Sequence, residues 1–437
     1  MIENLKIKEV KIAIFLSLIF KFFFLSLIYF YDFPTLISDQ IKYWHLSERI
    51  YSNGEFFNEN FSSVRVPIYV VFLAVLKKIL NSVYFVISIQ ILLSLYTLYL
   101  IFLIGKFFSL NIAKISILLG ALSLNLFNST IFILTESIYL IFFLLFVYFF
   151  LKIENLNKEK INKYLILSAI FLGLSTLTRP IAFYFLPITL FLLFKIGLKN
   201  RIKKIFIFAI VFGIVLSPWC LRNYQIFGYY KLTSSAGPNL AGYYLPYVKS
   251  KAEGISTKEA RLKNYEELQE QIDYNQNPFV ISEFEKDFFF YKIDDYPIIF
   301  LFQAWLEGNL KLIFSPPAID TFYLLDIEKT NFSEINEKSF FNKIYIYLFK
   351  NENNTYSLVL ISSIFIIFIF RLLSLYSIFA CKKKDLYKLI FFLALIGINL
   401  ILTGPIGSAR YRIIVEPFLI ILSSISINHF LFKYFNK

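Results

Sequence analysis

Apolar runs separated by short polar breaks make up most of the chain. Runs at 12–30, 84–104, 112–130, 133–151, 164–178, 181–197, 205–221, 355–376, 387–403 and 413–432 approach or reach the ~20 residues that carry a helix across a bilayer. The pattern therefore predicts an all-α polytopic protein with about ten transmembrane helices. The first run is too long for a signal-peptide core and lacks a small-residue cleavage site, so it reads as a spanning helix. A shorter apolar stretch at 66–80, closed by Lys77 and Lys78, suits a helix lying at the interface. Two polar stretches stand out, 32–67 and the much longer 223–354.

The placement of lysine orients these runs. Lys6, Lys8 and Lys11 precede the first run, and Lys106, Lys152, Lys158, Lys195, Lys203, Lys383 and Lys433 recur at every second break. Lysine-rich short loops mark the cytoplasmic side. Both termini are thus expected in the cytoplasm, with 32–67 and 223–354 outside. Three units follow: 1–222, an N-terminal membrane module with its first external loop; 223–354, an external and mostly helical region; and 355–437, the C-terminal membrane helices.

Composition agrees. With 58% hydrophobic and 17% charged residues, the chain departs from soluble proteins, which carry about 25% charged. The net charge of +14 is accounted for by the cytoplasmic loops, so no nucleic-acid partner is implied. The two cysteines, Cys220 and Cys381, fall on opposite sides, which gives neither a disulfide framework nor a thiolate metal site.

Arginine is distributed differently from lysine. Of nine arginines, Arg49, Arg65, Arg179, Arg222, Arg410 and Arg412 fall at or near the external mouth, against the positive-inside bias. A planar guanidinium binds phosphate oxygens in pairs and tolerates partial desolvation, so this ring suits an anionic lipid head group. The plainer reading is snorkelling, or pairing with Glu136, Glu307 or Glu416.

Acidic residues share that face. Asp39, after Ser38 as a candidate N-cap, opens an amphipathic helix; it either answers the helix dipole or acts as a general base, with a pKa raised beside lipid. Glu136, in Leu134-Thr135-Glu136-Ser137, is a membrane-edge acid and a functional candidate, or a structural partner of Arg179. Arg412 and Glu416 have the i,i+4 spacing of a simple ion pair. His45 could contact a ligand, although a lone histidine is more often structural. One external histidine without cysteines indicates no protein-only zinc site; a divalent cation shared between carboxylates and phosphate stays open.

Taken in order, these pieces resemble the GT-C superfamily of polyprenyl-phosphate-sugar-dependent glycosyltransferases, in its protein-mannosyltransferase, aminoarabinose-transferase and Rgt-type group. The carriers are Asp39 with Tyr43, Arg65-Val66-Pro67-Ile68-Tyr69, Leu134-Thr135-Glu136 and Leu177-Thr178-Arg179-Pro180. After them come Ser217-Pro218-Trp219 with Arg222-Asn223-Tyr224, Ala241-Gly242-Tyr243, and Ala409-Arg410-Tyr411-Arg412 with Glu416-Pro417. Many relatives carry Arg-Pro-Pro-Gly-Tyr where this chain has 65–69.

The resemblance implies a GT-C fold and an inverting transfer on the non-cytoplasmic face of a bacterial inner membrane. The donor would be a polyprenyl (undecaprenyl) phosphate sugar and the acceptor a glycan, lipid or protein. Asp39 and Glu136 would be the catalytic acids. Tyr43, His45, Arg65, Arg179, Arg222, Arg410 and Arg412 would bind substrate.

Within the long external region, the tyrosine-rich 229–247 suits sugar stacking. Residues 249–296 read as helical from a capping box at Ser256 and Glu259, and 297–317 as interfacial or re-entrant. Two other classes compete. An O-antigen polymerase or ligase would not need an aspartate directly after the first helix. A flippase or transporter would carry midpoint charges and internal repeats; Lys21 and Arg371 are the strong midpoint charges.

Overall fold

A computed structural model describes residues 7–33, 35–58, 62–154, 161–195, 200–319, 321, 332, 335, 337, 339–350 and 354–435. The membrane module begins with α1 (Lys8–Phe30), α2 (Asp39–Asn53), α3 (Pro67–Ile79) and α4 (Val83–Gly105). It continues with α5 (Leu110–Leu122), α6 (Leu124–Ile131), α7 (Glu136–Glu154), α8 (Ile161–Thr176), α9 (Leu186–Lys195) and α10 (Arg201–Phe227). Next come α11 (Leu245–Glu253), α12 (Thr257–Gln269), α13 (Pro278–Ile293), α14 (Ile298–Phe314) and α15 (Phe340–Phe349). The chain closes with α16 (Asn354–Ala380), α17 (Leu386–Thr403) and α18 (Glu416–Phe435).

Each expected span overlaps a helix, though fewer than the expected ten are long and apolar enough to cross a membrane by themselves. Among the described residues six helices are long and apolar enough to cross a membrane, and up to eight if each bent pair is one span. The third run breaks at Ser123, whose hydroxyl caps α6, so α5 and α6 meet at 55°. The fifth and sixth runs are the shorter α8 and α9, separated by the Arg179-Pro180 turn. Proline cannot donate the backbone hydrogen bond a continuing helix needs, and it starts a 3₁₀ segment over Pro180–Phe185. In the long region 223–354 the Ser256 hydroxyl caps α12 by accepting from the Glu259 amide at 3.1 Å. Helix α14 folds back from α13 at 118°.

Aromatic rings fill the core between α7 and the C-terminal helices. Phe143, Phe146 and Phe150 are fully buried and meet Phe185, Phe391 and Phe418 at centroid distances of 4.5–6.3 Å. Large aromatic side chains spaced three and four apart present one continuous face, which gives the packing both area and directional ring contacts. The opposite faces of α1, α10 and α16 expose Phe15, Phe23, Ile210, Ile214, Phe365 and Leu375, as an apolar solvent requires. The two midpoint charges are spent internally. The Lys21 ammonium donates to Ser94 at 2.7 Å, and Arg371 pairs with Glu416 at 3.1 Å.

Candidate active site

Two short polar turns meet where α2 begins. The α2 helix starts at Asp39, as the pattern required, but Ser38 does not cap it with its hydroxyl. Ser38 instead holds φ 53° and ψ −118°, a backbone region that residues with a Cβ rarely occupy. The strain falls at the residue that presents the Asp39 carboxylate.

That carboxylate lies between two guanidiniums. Its Oδ1 accepts from Arg65 Nη2 at 2.7 Å, and its Oδ2 accepts from Arg410 Nη1 at 3.3 Å. Arg410 also reaches the second acid: its Nε donates to Glu136 Oε1 at 2.8 Å. Arg179 Nη1 stands 2.8 Å from the same oxygen. Five side chains thus alternate as Arg65, Asp39, Arg410, Glu136 and Arg179, three cations against two anions, for a net charge of +1. Glu136 is sealed, with its side chain 2% exposed, whereas Asp39 and Arg410 keep 29% and 31%. A cavity of about 280 Å³ opens on Asp39, Glu136 and Arg410 and is lined also by Asn125, Asn128 and Ser129.

The pKa of Asp39 departs from the sequence expectation of a raised value. Burial alone pushes it up, but Arg65 and Arg410 together outweigh burial and hold the carboxyl below its usual 3.8. Neighbouring cations favour the charged form. Arg65 is shifted upward despite its own burial, because Asp39 and Tyr43 surround it.

The remaining candidates separate. Tyr43 joins the site: it is buried, its ring lies 4.9 Å from the Arg65 guanidinium, and its hydroxyl accepts from Arg65 Nη1 at 3.3 Å. His45 points outward, with a side chain 68% exposed and Nδ1 3.9 Å from Glu48. Arg222 is buried elsewhere and clamps the first external loop, donating to the Phe56 and Asn58 carbonyls and to Asn223 Oδ1. Arg412 faces away from the cavity. Its Nε donates to Glu416 at 2.8 Å, and its Nη1 to the carbonyls of Leu312, Ile313 and Ser315. Both of the plain pairings weighed from sequence, Arg179 with Glu136 and Arg412 with Glu416, are present.

Two glutamines were not singled out from sequence. Gln90, fully buried on α4, donates to the carbonyls of Thr130 and Phe132 and accepts from Tyr69 and Ser137. Gln40 accepts from the Ile133 amide at 3.1 Å. Together they fix the 130–137 turn that delivers Glu136 and tie it to the first turn of α2. A lone glutamine inside the run 84–104 was the available signal, since an unsatisfied amide there is expensive.

The site does not form a cation cradle. Asp39 and Glu136 are each engaged by two arginines, and among the described residues no three His, Cys, Asp or Glu side chains converge.

Residues 64–221 match the model of the family described as Dolichyl-phosphate-mannose-protein mannosyltransferase. The matched segment carries Arg65, Glu136 and Arg179. It supports the likeness of the chain to the GT-C superfamily. No curated protein matches the chain in sequence. Among solved structures, the Archaeoglobus fulgidus oligosaccharyltransferase is similar, in its apo form (TM-score 0.47) and complexed with Zn and sulfate (TM-score 0.45). Both are 14% identical over 90% of this chain. The chain spans 46% of the length of that oligosaccharyltransferase.

Proposed function

We propose that this chain is an integral-membrane glycosyltransferase that moves a sugar from a polyprenyl-phosphate donor to an acceptor on the non-cytoplasmic face, with inversion. The observation that carries the reading is Arg410 shared between Asp39 and Glu136 at the mouth of a cavity. Such a cluster has a surplus cation for one incoming phosphate and a carboxylate that the phosphate can release.

The steps follow from charge. In the resting site both Asp39 oxygens are held by guanidiniums, and a carboxylate so held is a weak base. A donor phosphodiester competes for Arg65 and Arg410 through its two non-bridging oxygens, which guanidiniums bind in pairs, and the pull grows as the departing lipid phosphate gains its second negative charge. Asp39 then loses its counterions and its proton affinity rises. It takes the proton from the acceptor hydroxyl or amine as the acceptor atom bonds to the anomeric carbon. The anomeric carbon–oxygen bond breaks on the opposite side, and its electron pair leaves on the lipid phosphate. Arg65 and Arg410 stabilise that developing charge. Glu136, fixed by Arg179, keeps Arg410 oriented. No step requires a metal, and the residues present would not hold one without the substrate.

The same reading puts this face in the periplasm of a bacterial inner membrane, opposite the lysine-rich loops. The Lys-, Asn-, Ile- and Phe-rich composition favours undecaprenyl over dolichyl donors. The test uses membranes bearing wild type or Asp39→Asn, offered radiolabelled undecaprenyl-phosphate sugars. Wild type is expected to release lipid phosphate while Asp39→Asn binds donor without turnover. Equal turnover by the two would remove Asp39 from the chemistry.

A further inference from the structure

A second cluster of like charges lies in the external region, built from three helices. Glu307 of α14 is 8% exposed at its side chain and pairs with Lys311 of the same helix at 3.3 Å and with Lys251 of α11. Lys251 and Lys311 are themselves 11% and 17% exposed. A third ammonium, Lys343 of α15, lies close enough to feel the charges of Lys251, Lys311 and Glu307. It shares a helix face with Tyr347, four residues on. The Tyr347 ring packs on Phe332, and Phe332 lies 5.8 Å from the Lys311 ammonium. Lys343 is 3% exposed, and among the described residues no carboxylate stands within ion-pair distance of it.

Among the described residues, three buried ammoniums therefore face one paired carboxylate, and Glu337 adds a further negative charge felt by Lys343 together with Lys251, Lys311 and Glu307. Desolvation and the two neighbouring lysines push the Lys343 pKa down. Crowding buried ammoniums together is unfavourable, and the described residues bring three of them to one carboxylate.

The surroundings indicate which anion such a cluster would meet. Beside Lys343, α15 exposes Phe341, Tyr345 and Phe349 at 79%, 56% and 61%. Aromatic side chains presented this way suit the boundary between head groups and acyl chains. The cluster is also separate from the cavity at Asp39, whose lining includes none of these residues.

We propose that Lys251, Lys311 and Lys343 form a second anion site that holds the phosphate of a membrane lipid head group against the external region. The inference goes beyond the transferase reading and does not depend on it. Compact ammoniums on flexible stems serve a phosphate as point charges, and Glu307 sets the spacing of two of them. A bound lipid would pin α14, which packs on the segment carrying Arg410 through the Arg412 contacts to Leu312, Ile313 and Ser315.

The experiment is thermal unfolding of the purified full chain in a neutral detergent, titrated with dioctanoyl phosphatidic acid, dioctanoyl phosphatidylcholine or inorganic phosphate. Wild type is expected to melt several degrees higher with phosphatidic acid and to respond weakly to the other two. Lys343→Met and Lys343→Gln should lose that response, while Arg410→Gln keeps it. Lys343→Met should also melt at or above wild type without lipid, because one of the crowded charges is gone. An unresponsive wild type, or an unchanged response in both Lys343 variants, overturns the site. Loss of the response in Arg410→Gln moves it to the other cluster. Equal stabilisation by inorganic phosphate overturns the lipid assignment.

Discussion

Two arginine–carboxylate clusters sit on the same segment, two residues apart in sequence, and they do opposite things. At Arg410 the guanidinium is 31% exposed, spans two carboxylates and borders a cavity. At Arg412 it is 1% exposed and its hydrogens go to Glu416 and three backbone carbonyls, while Arg371 closes on Glu416 from α16. One cluster has room and an exchangeable partner. The other is closed and holds three helices together. Formal charge does not separate them; access and the nature of the acceptors do. A carbonyl at a helix end cannot be displaced without opening the fold, whereas a carboxylate facing a cavity can trade one partner for another.

The largest expected effect tests the open cluster. Asp39→Asn keeps the size of the side chain and removes its base, so donor consumption should fall by ~10²–10⁴-fold, with only a modest drop in melting temperature from the loss of its charge between Arg65 and Arg410. Next comes the closed cluster, where removing one partner strands buried charge. Glu416→Ala should destabilise the protein by about 3–5 kcal/mol, read as loss of folded protein in detergent melts, with turnover per folded molecule retained. A smaller effect is expected where the two properties mix. Gln90→Leu takes their Gln90 partner from the buried Thr130 carbonyl and from the Tyr69 and Ser137 hydroxyls, at about 1–3 kcal/mol. It should also lower kcat through displacement of Glu136, and Gln90→Asn should restore part of both.

The pH dependence sharpens the contrast. Arg65 and Arg410 keep the Asp39 pKa below 3.8, so in the free enzyme the carboxylate is charged at all ordinary pH. Its contribution to stability is present above its unfolded pKa and is lost as pH falls through the lower folded value. With donor bound the arginines turn to phosphate, and the acid limb of kcat should lie at higher pH than that of kcat/KM. Coincident limbs would contradict the release of Asp39. The smallest effect is His45→Ala, exposed and outside both clusters. It should change stability by no more than ~0.5 kcal/mol and leave turnover unaltered in the same assays.

Much of this arrangement was legible in the chain. The apolar runs located the helices, because each run repeats one local rule of composition and length. The Asp39 helix start, the Pro180 break and the Ser256 cap followed from neighbours within a turn. What could not be read was which distant acceptor each arginine meets. Arg222 and Arg412 looked like Arg65 and Arg410 because their partners, the Phe56 and Asn58 carbonyls and those of Leu312 and Ser315, lie about a hundred or more residues away. Backbone carbonyls also leave no mark in a sequence. The lowered Asp39 pKa was missed for the same reason, since Arg410 stands 371 residues off. Gln90 announced that it needed partners, not that they would carry Glu136.

The most direct measurement is the paired comparison of Arg410→Gln and Arg412→Gln, each scored for melting temperature and for lipid phosphate released per folded molecule. Arg410→Gln should melt near wild type and release little phosphate, whereas Arg412→Gln should melt far lower and keep its turnover while folded. If Arg412→Gln lost turnover without losing stability, or Arg410→Gln kept full turnover, the assignment of the two clusters would be wrong.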